Sequence, residues 1–374
     1  MNSASGPARA IVVGGGVLGT MHAIEARRRG FDVVHLEREP DARGASVRNF
    51  GLVWVSGRAG GAELDLARRA RQRWAQIAAE VSGVGFRPHG SLTLAADDTE
   101  LSLLKEASAR PDAGLRGYEL LDPAAARDVN PAVRGPIAGA LLCTQDAIVE
   151  PRAVLPALRT HLLGAGGYHW LPGREAVATE PYGVRDHTGE WHRGDLVVVC
   201  SGAAYTGVAG PHLATYPAPP LRRVRLQMMQ TQPFGSRLTT AIADGDSMRY
   251  YPAFDLPGRG RLGRQPPVAA RTRAQLLLVQ RLDGSLTIGD THEYDEPFAF
   301  DVDEGAYEHL RGRAEQLLGS PLPPVQRRWA GVYSQVAGNE LYHRSQIQPG
   351  VVLVTGPGGR GMTCSPAIAE ETFA

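Results

Sequence analysis

Lysine is almost absent from this sequence of 374 residues, because Lys105 is the only one among 40 basic residues. Cysteine is also scarce: Cys143, Cys200 and Cys364 are far apart and form neither a CxxC pair nor the spacing of metal ligands. Three isolated cysteines favour a reducing compartment, and we expect no metal site.

Long apolar runs and an excess of charge are missing as well. No run reaches the roughly 18 apolar residues of a membrane-spanning helix, and the first nine residues lack the apolar core of a signal peptide. The formal net charge of +1 gives no reason to expect nucleic acid or an anionic membrane surface as a partner. The sequence therefore predicts a soluble cytoplasmic protein, and it does not indicate an oligomeric state.

The N-terminal stretch carries the strongest pattern in the chain. A β-branched run, Ile11–Val13, is followed by a glycine turn and a helical segment over Thr20–Arg29. A second apolar run, Val33–Leu36, then ends on Glu37. This order of strand, turn, helix, strand and acid predicts a Rossmann-like α/β unit that binds a dinucleotide.

Each glycine of that turn has a physical purpose in such a unit. Gly14 permits the tight turn, Gly16 lets the backbone approach a pyrophosphate, and Gly19 lets the helix pack on the strand. The free amides at the helix start face the phosphates. Glu37 lies where a carboxylate accepts hydrogen bonds from an adenosine ribose. An ordinary βαβ turn without a ligand is the alternative.

Two later segments have the same form. The apolar run from Leu196 ends in Ser201-Gly202-Ala, and the run Val351–Val354 enters Gly-Pro-Gly-Gly-Arg-Gly-Met. Because these strands lie far apart in the sequence, we expect one site assembled from both ends of the chain. Between them, short strands without strong helices predict an antiparallel sheet, and hence a second, substrate-side domain.

These motifs together resemble the D-amino-acid oxidase superfamily of FAD-dependent oxidoreductases, in its glycine/sarcosine oxidase-like branch. The similarity rests on Glu37-Arg38 followed by GASVRNFG, on Glu150-Pro151-Arg152, on VVVCSGA and on TGPGGRGMT, in this order over nearly the whole chain. RNFG, GDTHEYDE and the GMT ending look most like a subgroup associated with aminophosphonate breakdown.

The resemblance implies a FAD-binding domain over 1–82, 143–215 and 322–374, and a substrate-binding domain over 83–142 and 216–321. It also implies the residues that contact FAD. These are Gly14, Gly16, Val17, Leu18, Gly19, Glu37, Arg38, Ala45, Ser46, Arg48, Asn49, Gly51, Val177, Ser201, Gly202, Gly331, Gly359, Arg360, Gly361, Met362 and Thr363.

Two departures from the family pattern are visible. Relatives with covalent flavin use a cysteine or histidine near the segment 330–339, which has neither here, so we predict non-covalent FAD. Several oxidases of the branch place a lysine over the flavin to promote reaction with oxygen, whereas Lys105 lies far from every flavin motif. Another cation (His292, Arg48 or Arg360) or an electron acceptor other than oxygen must then serve.

To bind the substrate of such an oxidation, the protein needs charged partners more than it needs reactive side chains. An anionic substrate favours arginine, whose planar fork binds carboxylate or phosphonate bidentately. We expect Arg249 to be this group, on a strand with Tyr250 and Tyr251 as hydroxyl donors. Tyr333 and Arg344 are further substrate-binding candidates.

Three residues are candidates for catalysis, and each has a structural alternative. His292 follows a strand predicted to run toward the flavin, and it serves either as a proton acceptor or as a turn histidine bonded to Asp290 or Glu293. Arg48 lies in the flavin motif. Asn49 either hydrogen-bonds flavin or substrate, or caps a turn.

The resemblance implies oxidation of the C–N bond of a small anionic amine, with 2-aminoethylphosphonate or an N-methyl or hydroxy relative favoured and oxygen the expected acceptor. A glycine, sarcosine or D-amino-acid oxidase or dehydrogenase is an alternative. A nicotinamide-dependent dehydrogenase and a non-catalytic flavin-binding protein are alternatives from other classes.

Overall fold

The computed structural model describes residues 7–215 and 221–374. The strands are β1 (Arg9–Val13), β2 (Asp32–Glu37), β3 (Leu52–Val53), β4 (Ser91–Ala95), β5 (Tyr118–Leu121), β6 (Gly139–Cys143), β7 (Ala147–Ile148), β8 (Tyr168–Pro172), β9 (Ala176–Glu180), β10 (Gly183–Asp186), β11 (Trp191–Arg193), β12 (Leu196–Val199), β13 (Leu221–Pro233), β14 (Ala241–Ala243), β15 (Leu277–Gln280), β16 (Ser285–Gly289), β17 (Val325–Val336), β18 (His343–Gln348) and β19 (Val351–Thr355). The helices are α1 (Val17–Arg28), α2 (Ala62–Glu80), α3 (Asp98–Ser108), α4 (Ala113–Arg116), α5 (Pro123–Val129), α6 (Val154–Gly164), α7 (Gly210–Thr215), α8 (Ser247–Tyr250), α9 (Pro267–Thr272), α10 (Glu304–Leu318) and α11 (Gly361–Thr372).

A six-stranded sheet holds both ends of the chain. Its order is β18-β19-β12-β1-β2-β8, and every neighbouring pair is parallel except β18 with β19. The carboxyl ends of β1, β2, β12 and β19 therefore lie at one edge, which is where ligands bind in open parallel sheets. The expectation that distant strands deliver their glycine loops to one site follows from this topology.

The second large sheet has eight strands in the order β17-β13-β16-β15-β14-β4-β6-β5. It is antiparallel except for the pairing of β14 with β4, so the sheet is mixed. The predicted α/β fold, a Rossmann-like sheet joined to a largely antiparallel one, is confirmed.

The proposed domain limits remain a prediction, and two features bear on them. The strand β17 pairs with β13 from Leu221↔Val336 to Thr231↔Val325, so it belongs by pairing to the eight-stranded sheet although it lies within 322–374. The boundary at 215/216 falls at the start of the undescribed segment 216–220.

The C-terminal helix begins earlier than its proline suggests. The sequence predicts a start near Pro366, but α11 begins at Gly361 and contains the proline. A proline inside a helix leaves the carbonyl four residues earlier without its usual donor. Here that carbonyl, of Met362, accepts a hydrogen bond from Trp74 Nε1 at 3.0 Å. The buried indole of α2 therefore stabilises the unusual helix start.

None of the helices in the described ranges combines the length and apolarity needed to cross a membrane.

Candidate active site

A cavity of about 1220 Å³ lies at the carboxyl edge of the six-stranded sheet and extends to the eight-stranded sheet. Its volume exceeds the roughly 1,000 Å³ at the upper end of ordinary small-molecule pockets. The wall includes Gly14 after β1, Glu37 at the end of β2, Ser201 after β12 and Gly358 after β19. The cavity is thus large enough for an extended cofactor together with a substrate.

The first glycine turn has no room for side chains at two positions. Gly14 has φ +104°, and a Cβ there would lie 2.3 Å from the carbonyl oxygen of Cys200. A Cβ on Gly19 would lie 1.9 Å from the carbonyl oxygen of Gly14. Helix α1 can therefore begin this close to β1 only because both residues are glycines.

Polar side chains hold the turn in place from both sides. One carboxylate oxygen of Glu37 accepts a hydrogen bond from Gly15 N at 2.6 Å, and the other accepts one from Glu39 N at 2.9 Å. Ser46 Oγ accepts a hydrogen bond from Val17 N at 2.9 Å. Each carboxylate oxygen has a second lone pair, so Glu37 can still accept a ribose hydroxyl.

A buried histidine supports the same turn. His35 Nε2 donates to Gly14 O at 2.9 Å, and Nδ1 accepts from the Tyr168 hydroxyl at 2.9 Å. Burial lowers the pKa of His35 to about 4. The ring is therefore neutral in the folded protein, whereas it takes up a proton near pH 6.5 in the unfolded chain.

This difference predicts a pH dependence of stability. Between pH 6.5 and about 4, the unfolded chain carries a proton on His35 that the folded protein does not. The contribution of His35 to the free energy of unfolding is therefore complete above pH 6.5, and it falls by about 1.4 kcal/mol for each pH unit below 6.5. Urea unfolding between pH 7.5 and 4.5 should show that the free energy of unfolding falls more steeply with decreasing pH in the wild type than in His35→Asn. Burial raises the pKa of Asp244 to about 6, which changes the stability with pH in the opposite direction. Asp244 is present in both proteins, so it does not affect the comparison. Parallel pH profiles would contradict the prediction.

The middle of the cavity offers an unused donor and open backbone. Ser201 Oγ is buried and has no hydrogen-bond partner among the described residues. The neighbouring Gly202 has φ +59° and nothing within 4 Å of its Cβ position. A free hydroxyl and an uncovered backbone beside the start of α1 fit the pyrophosphate of a dinucleotide.

A buried ion-pair triad lies at the other end, where β19 leads into α11. Arg360 Nε donates to Glu63 Oε1 at 2.8 Å, and Arg58 NH1 lies 3.8 Å from the same oxygen. Burial acts to raise the pKa of Glu63, but the charges of Arg58 and Arg360 outweigh it and lower the pKa. The triad therefore carries one net positive charge next to the start of a helix, which favours a negative charge on a bound group.

The eight-stranded sheet contributes an aromatic cluster. The rings of Tyr250 and His292 stack with centroids 3.9 Å apart, and Tyr250 meets Tyr251 edge to face at 5.1 Å. The hydroxyls of Tyr250 and Tyr333 lie 3.4 Å apart. A Cβ on Gly359 would lie 3.9 Å from each of these two hydroxyls, so the cluster lies opposite the C-terminal glycine loop.

Most residues predicted from the sequence line this one cavity. They are Gly14, Gly16, Val17, Leu18, Gly19, Glu37, Arg38, Ala45, Ser46, Arg48, Asn49, Ser201, Gly202, Arg249, Tyr251, His292, Gly331, Tyr333, Gly359, Arg360, Gly361 and Met362.

Four predicted residues lie outside the cavity wall. Arg344 is exposed on the antiparallel edge strand β18, with its guanidinium over the Tyr342 ring, and therefore does not reach the substrate end. Val177 is 42% exposed on β9. Thr363 is buried and its hydroxyl accepts from Trp54 N, so it supports the wall from behind. Gly51 packs against the backbone of Val149.

Two of the catalytic candidates have structural tasks. Asn49 Nδ2 donates to Ala45 O and Ser46 O, and Oδ1 accepts from Gly51 N, so the side chain caps its turn. Arg48 donates to Ala330 O at 2.9 Å and is otherwise exposed. The loop of the RNFG motif is thus held rigid by its own side chains.

The predicted strand around Arg249 is wrong, because Ser247–Tyr250 is helix α8 and a 3-10 turn, Pro252–Phe254, follows. Arg249 Nε donates to Asp246 at 3.0 Å and its NH2 donates to Gly263 O. Arg222 lies on the cavity wall with its guanidinium 4.2 Å from the Tyr294 ring centroid. Within the described ranges, Arg222 has no carboxylate partner and its one hydrogen bond is to Gln335 at 3.4 Å.

Sequence reasoning missed several cavity residues: Arg58, Glu63, Arg222, Gln275, Asp290 and Tyr294. No motif marks the ion-pair triad, since Glu63 and Arg360 meet only in the folded chain. Asp290 had a signal, because it follows an apolar strand whose carboxyl end faces the cavity.

The fold and the cavity define a two-sheet flavoprotein, in which a glycine-turn sheet faces a substrate sheet. The model of the FAD dependent oxidoreductase family, DAO, matches residues 9–374. The chain therefore belongs to this family and uses FAD as its cofactor.

Known relatives agree with this membership at the level of the fold. Glycine oxidase from Geobacillus kaustophilus superposes with a TM-score of 0.76 at 18% identity, over 99% of this chain and 94% of that one. L-Proline dehydrogenase from P. horikoshii superposes with a TM-score of 0.77 at 18% identity, over 97% and 91% of the two chains.

A curated relative is similar over part of the chain. It is one of the subunits of the anaerobic glycerol-3-phosphate dehydrogenase of Escherichia coli (strain K12), and it is 29% identical over 214 residues, which are 55% of this chain and 38% of that protein. The matched region thus spans well under half the length of that relative.

Proposed function

We propose that this protein oxidises the C–N bond of a small amine that carries an anionic group, with an aminophosphonate such as 2-aminoethylphosphonate or its N-methyl or hydroxy relatives as the favoured substrate. The observation that carries the proposal is the unpaired Arg222 beside the tyrosine cluster at the substrate end of the cavity. A guanidinium fork without a carboxylate partner is available to bind a carboxylate or phosphonate. FAD, when bound, accepts the two electrons and the hydrogen of the α-C–H bond, and the imine product then hydrolyses to an aldehyde and an amine.

The chain's own residues position these partners. The glycine turn after β1 and Ser201 fit the pyrophosphate, and the Arg58–Glu63–Arg360 triad supplies positive charge for the reduced cofactor. Lys105 is exposed on α3 and does not line the cavity, so oxygen or another acceptor must react without a flavin-side lysine. Non-covalent binding of FAD remains part of the proposal.

The test is anaerobic bleaching of the yellow holoprotein, with peroxide release measured in air. The panel contains 2-aminoethylphosphonate, its N-methyl derivative, sarcosine, glycine, D-amino acids and glycerol 3-phosphate. Bleaching by phosphonates alone supports the favoured class, and bleaching by glycine or sarcosine supports the amino-acid alternative. Bleaching only by glycerol 3-phosphate overturns the amine proposal. Bleaching without peroxide indicates a dehydrogenase with an acceptor other than oxygen.

The arginine assignment gives a quantitative prediction. Arg222→Ala should raise the KM of the anionic amine roughly 5- to 30-fold, because losing a charge-assisted pair at this exposed guanidinium costs about 1–2 kcal/mol. Arg249→Ala should change it by no more than about twofold, because that guanidinium is already bound to Asp246 and Gly263. Arg222→Lys should fall between, since it keeps the charge but loses the fork. The reverse ranking of the two alanine variants would move the anion site to Arg249.

A further inference from the structure

Asp290 is a buried carboxylate that has no permanent cationic partner within residues 7–215 and 221–374. It follows β16, is 5% exposed and lines the cavity. Its Oδ1 accepts from Gln275 Nε2 at 3.2 Å, and among the described residues the one basic side chain within 4 Å of it is His292, whose Nε2 lies 3.9 Å from Oδ2. A buried carboxylate in this state costs free energy unless a positive charge reaches it.

A second acceptor beside it is also unused. Gln275 is 2% exposed and lines the cavity, and its Oε1 has no hydrogen-bond partner among the described residues. The two side chains are linked through the Gln275 amide nitrogen, so the free oxygen lies on the same small patch as the carboxylate. The unused Gln275 oxygen and the Asp290 carboxylate, which accepts a hydrogen bond from Gln275 but has further lone pairs, define a place for a ligand that supplies both N–H donors and positive charge.

Aromatic rings line the same cavity as this patch. Tyr250 is stacked on His292, Tyr251 lies edge to face with Tyr250, and the negative charge of Asp290 contributes to raising the pKa values of Tyr251 and Tyr333, although burial is the larger cause for both. The faces of such rings attract a cation, most strongly a substituted ammonium. Rings and carboxylate together thus form a cage for a positive group.

We propose that Asp290 and Gln275, within the cage formed by Tyr250, Tyr251 and Tyr333, bind the ammonium group of the substrate. This inference rests on the proposed function and adds that the substrate enters as a zwitterion. Arg222, over the face of Tyr294, receives the anionic end, and the ammonium lies toward Asp290. The compact arrangement suits a small substrate and accepts N-methyl groups, because methyl groups pack on the rings.

The position of the carboxylate suits a second task. An ammonium must lose one N–H proton before its C–N bond can be oxidised, and Asp290 can take that proton, leaving a neutral amine and a carboxylic acid. Burial raises the pKa of Asp290, which makes it a better proton acceptor than a solvated aspartate.

The test uses holoprotein and a cation that cannot be oxidised. Calorimetric titration at constant ionic strength compares tetramethylammonium with tert-butanol, a neutral molecule of similar shape. The wild type should prefer the cation by about tenfold or more. Asp290→Asn should abolish this preference with FAD content unchanged, whereas Asp295→Asn, the same change at an exposed position of the same loop, should leave it intact.

A second variant tests the same inference if Asp290→Asn does not fold. Tyr333→Leu removes a half-buried cage wall and should reduce the cation preference severalfold. Equal binding of both probes to the wild type, or an unchanged preference in Asp290→Asn, would overturn the inference. If the protein prefers the cation but no amine bleaches its flavin, the proposed oxidation is refuted while the cation site is supported.

Discussion

Gly19→Ala is expected to give protein that folds poorly and retains almost no FAD. The added Cβ would lie 1.9 Å from the carbonyl oxygen of Gly14, and contacts of real Cβ atoms below 3.0 Å are essentially never seen. Since the obstacle is backbone, α1 must move away from β1. The amides at the start of α1 then move away from the cofactor phosphates, and since losing a charge-assisted hydrogen bond costs about 1.5–3 kcal/mol, the apparent FAD affinity should fall roughly 10- to 150-fold.

The measurement is the FAD-to-protein ratio of purified protein, followed by titration of the apoprotein with FAD. Gly44→Ala is the matched control, because Gly44 lies on the same cavity wall, has φ −79° and has nothing within 4 Å of its Cβ position. Its FAD affinity should change by no more than about twofold. A Gly19→Ala protein with a full complement of FAD would show that the helix can shift without loss of the site.

Glu63→Gln is expected to lower the free energy of unfolding by about 3 kcal/mol or more. The substitution keeps the shape of the side chain but leaves Arg58 and Arg360 facing each other without the carboxylate, and the Glu63 and Arg58 side chains are only 5% and 6% exposed. Breaking a buried ion pair from one side costs about 3–5 kcal/mol, because an uncompensated charge stays in the interior.

Urea unfolding of the apoprotein tests this effect without a contribution from the cofactor. Glu80→Gln is the control, since Glu80 lies at the exposed end of the same helix and should change the stability by no more than about 0.5 kcal/mol. A loss below about 1 kcal/mol for Glu63→Gln would mean that solvent reaches the triad and compensates the two arginines.

The cofactor half of the site was largely predictable from local sequence. Gly14, Gly19 and Glu37 lie in one short segment, where the residue type that each position needs depends on residues close by in the sequence. The strands before the later glycine loops are apolar enough to be predicted as buried. Parallel pairing then brings those loops together, because the carboxyl ends of parallel strands share an edge.

The substrate half was predictable only in part. Arg249 was expected on a strand, yet the Asp244 carboxylate accepts hydrogen bonds from the amides of Asp246 and Ser247 and starts a helical turn. The preceding Asp244-Gly-Asp-Ser247 sequence was a turn signal. The side chain of Asn49 caps its turn while the residue lines the cavity, and its predicted contact with flavin or substrate remains a prediction.

The sequence by itself determined the class of cofactor site, its glycine turns, the family and the absence of a flavin-side lysine. The tertiary structure alone decided which charged groups are paired. Arg249 is paired with Asp246, Glu63 lies between two arginines from opposite ends of the chain, and Arg222 and Asp290 have no permanent counter-ion among the described residues. The reason is physical: a glycine's requirement is local, whereas the availability of a charge depends on every group that folding brings within a few ångströms of it.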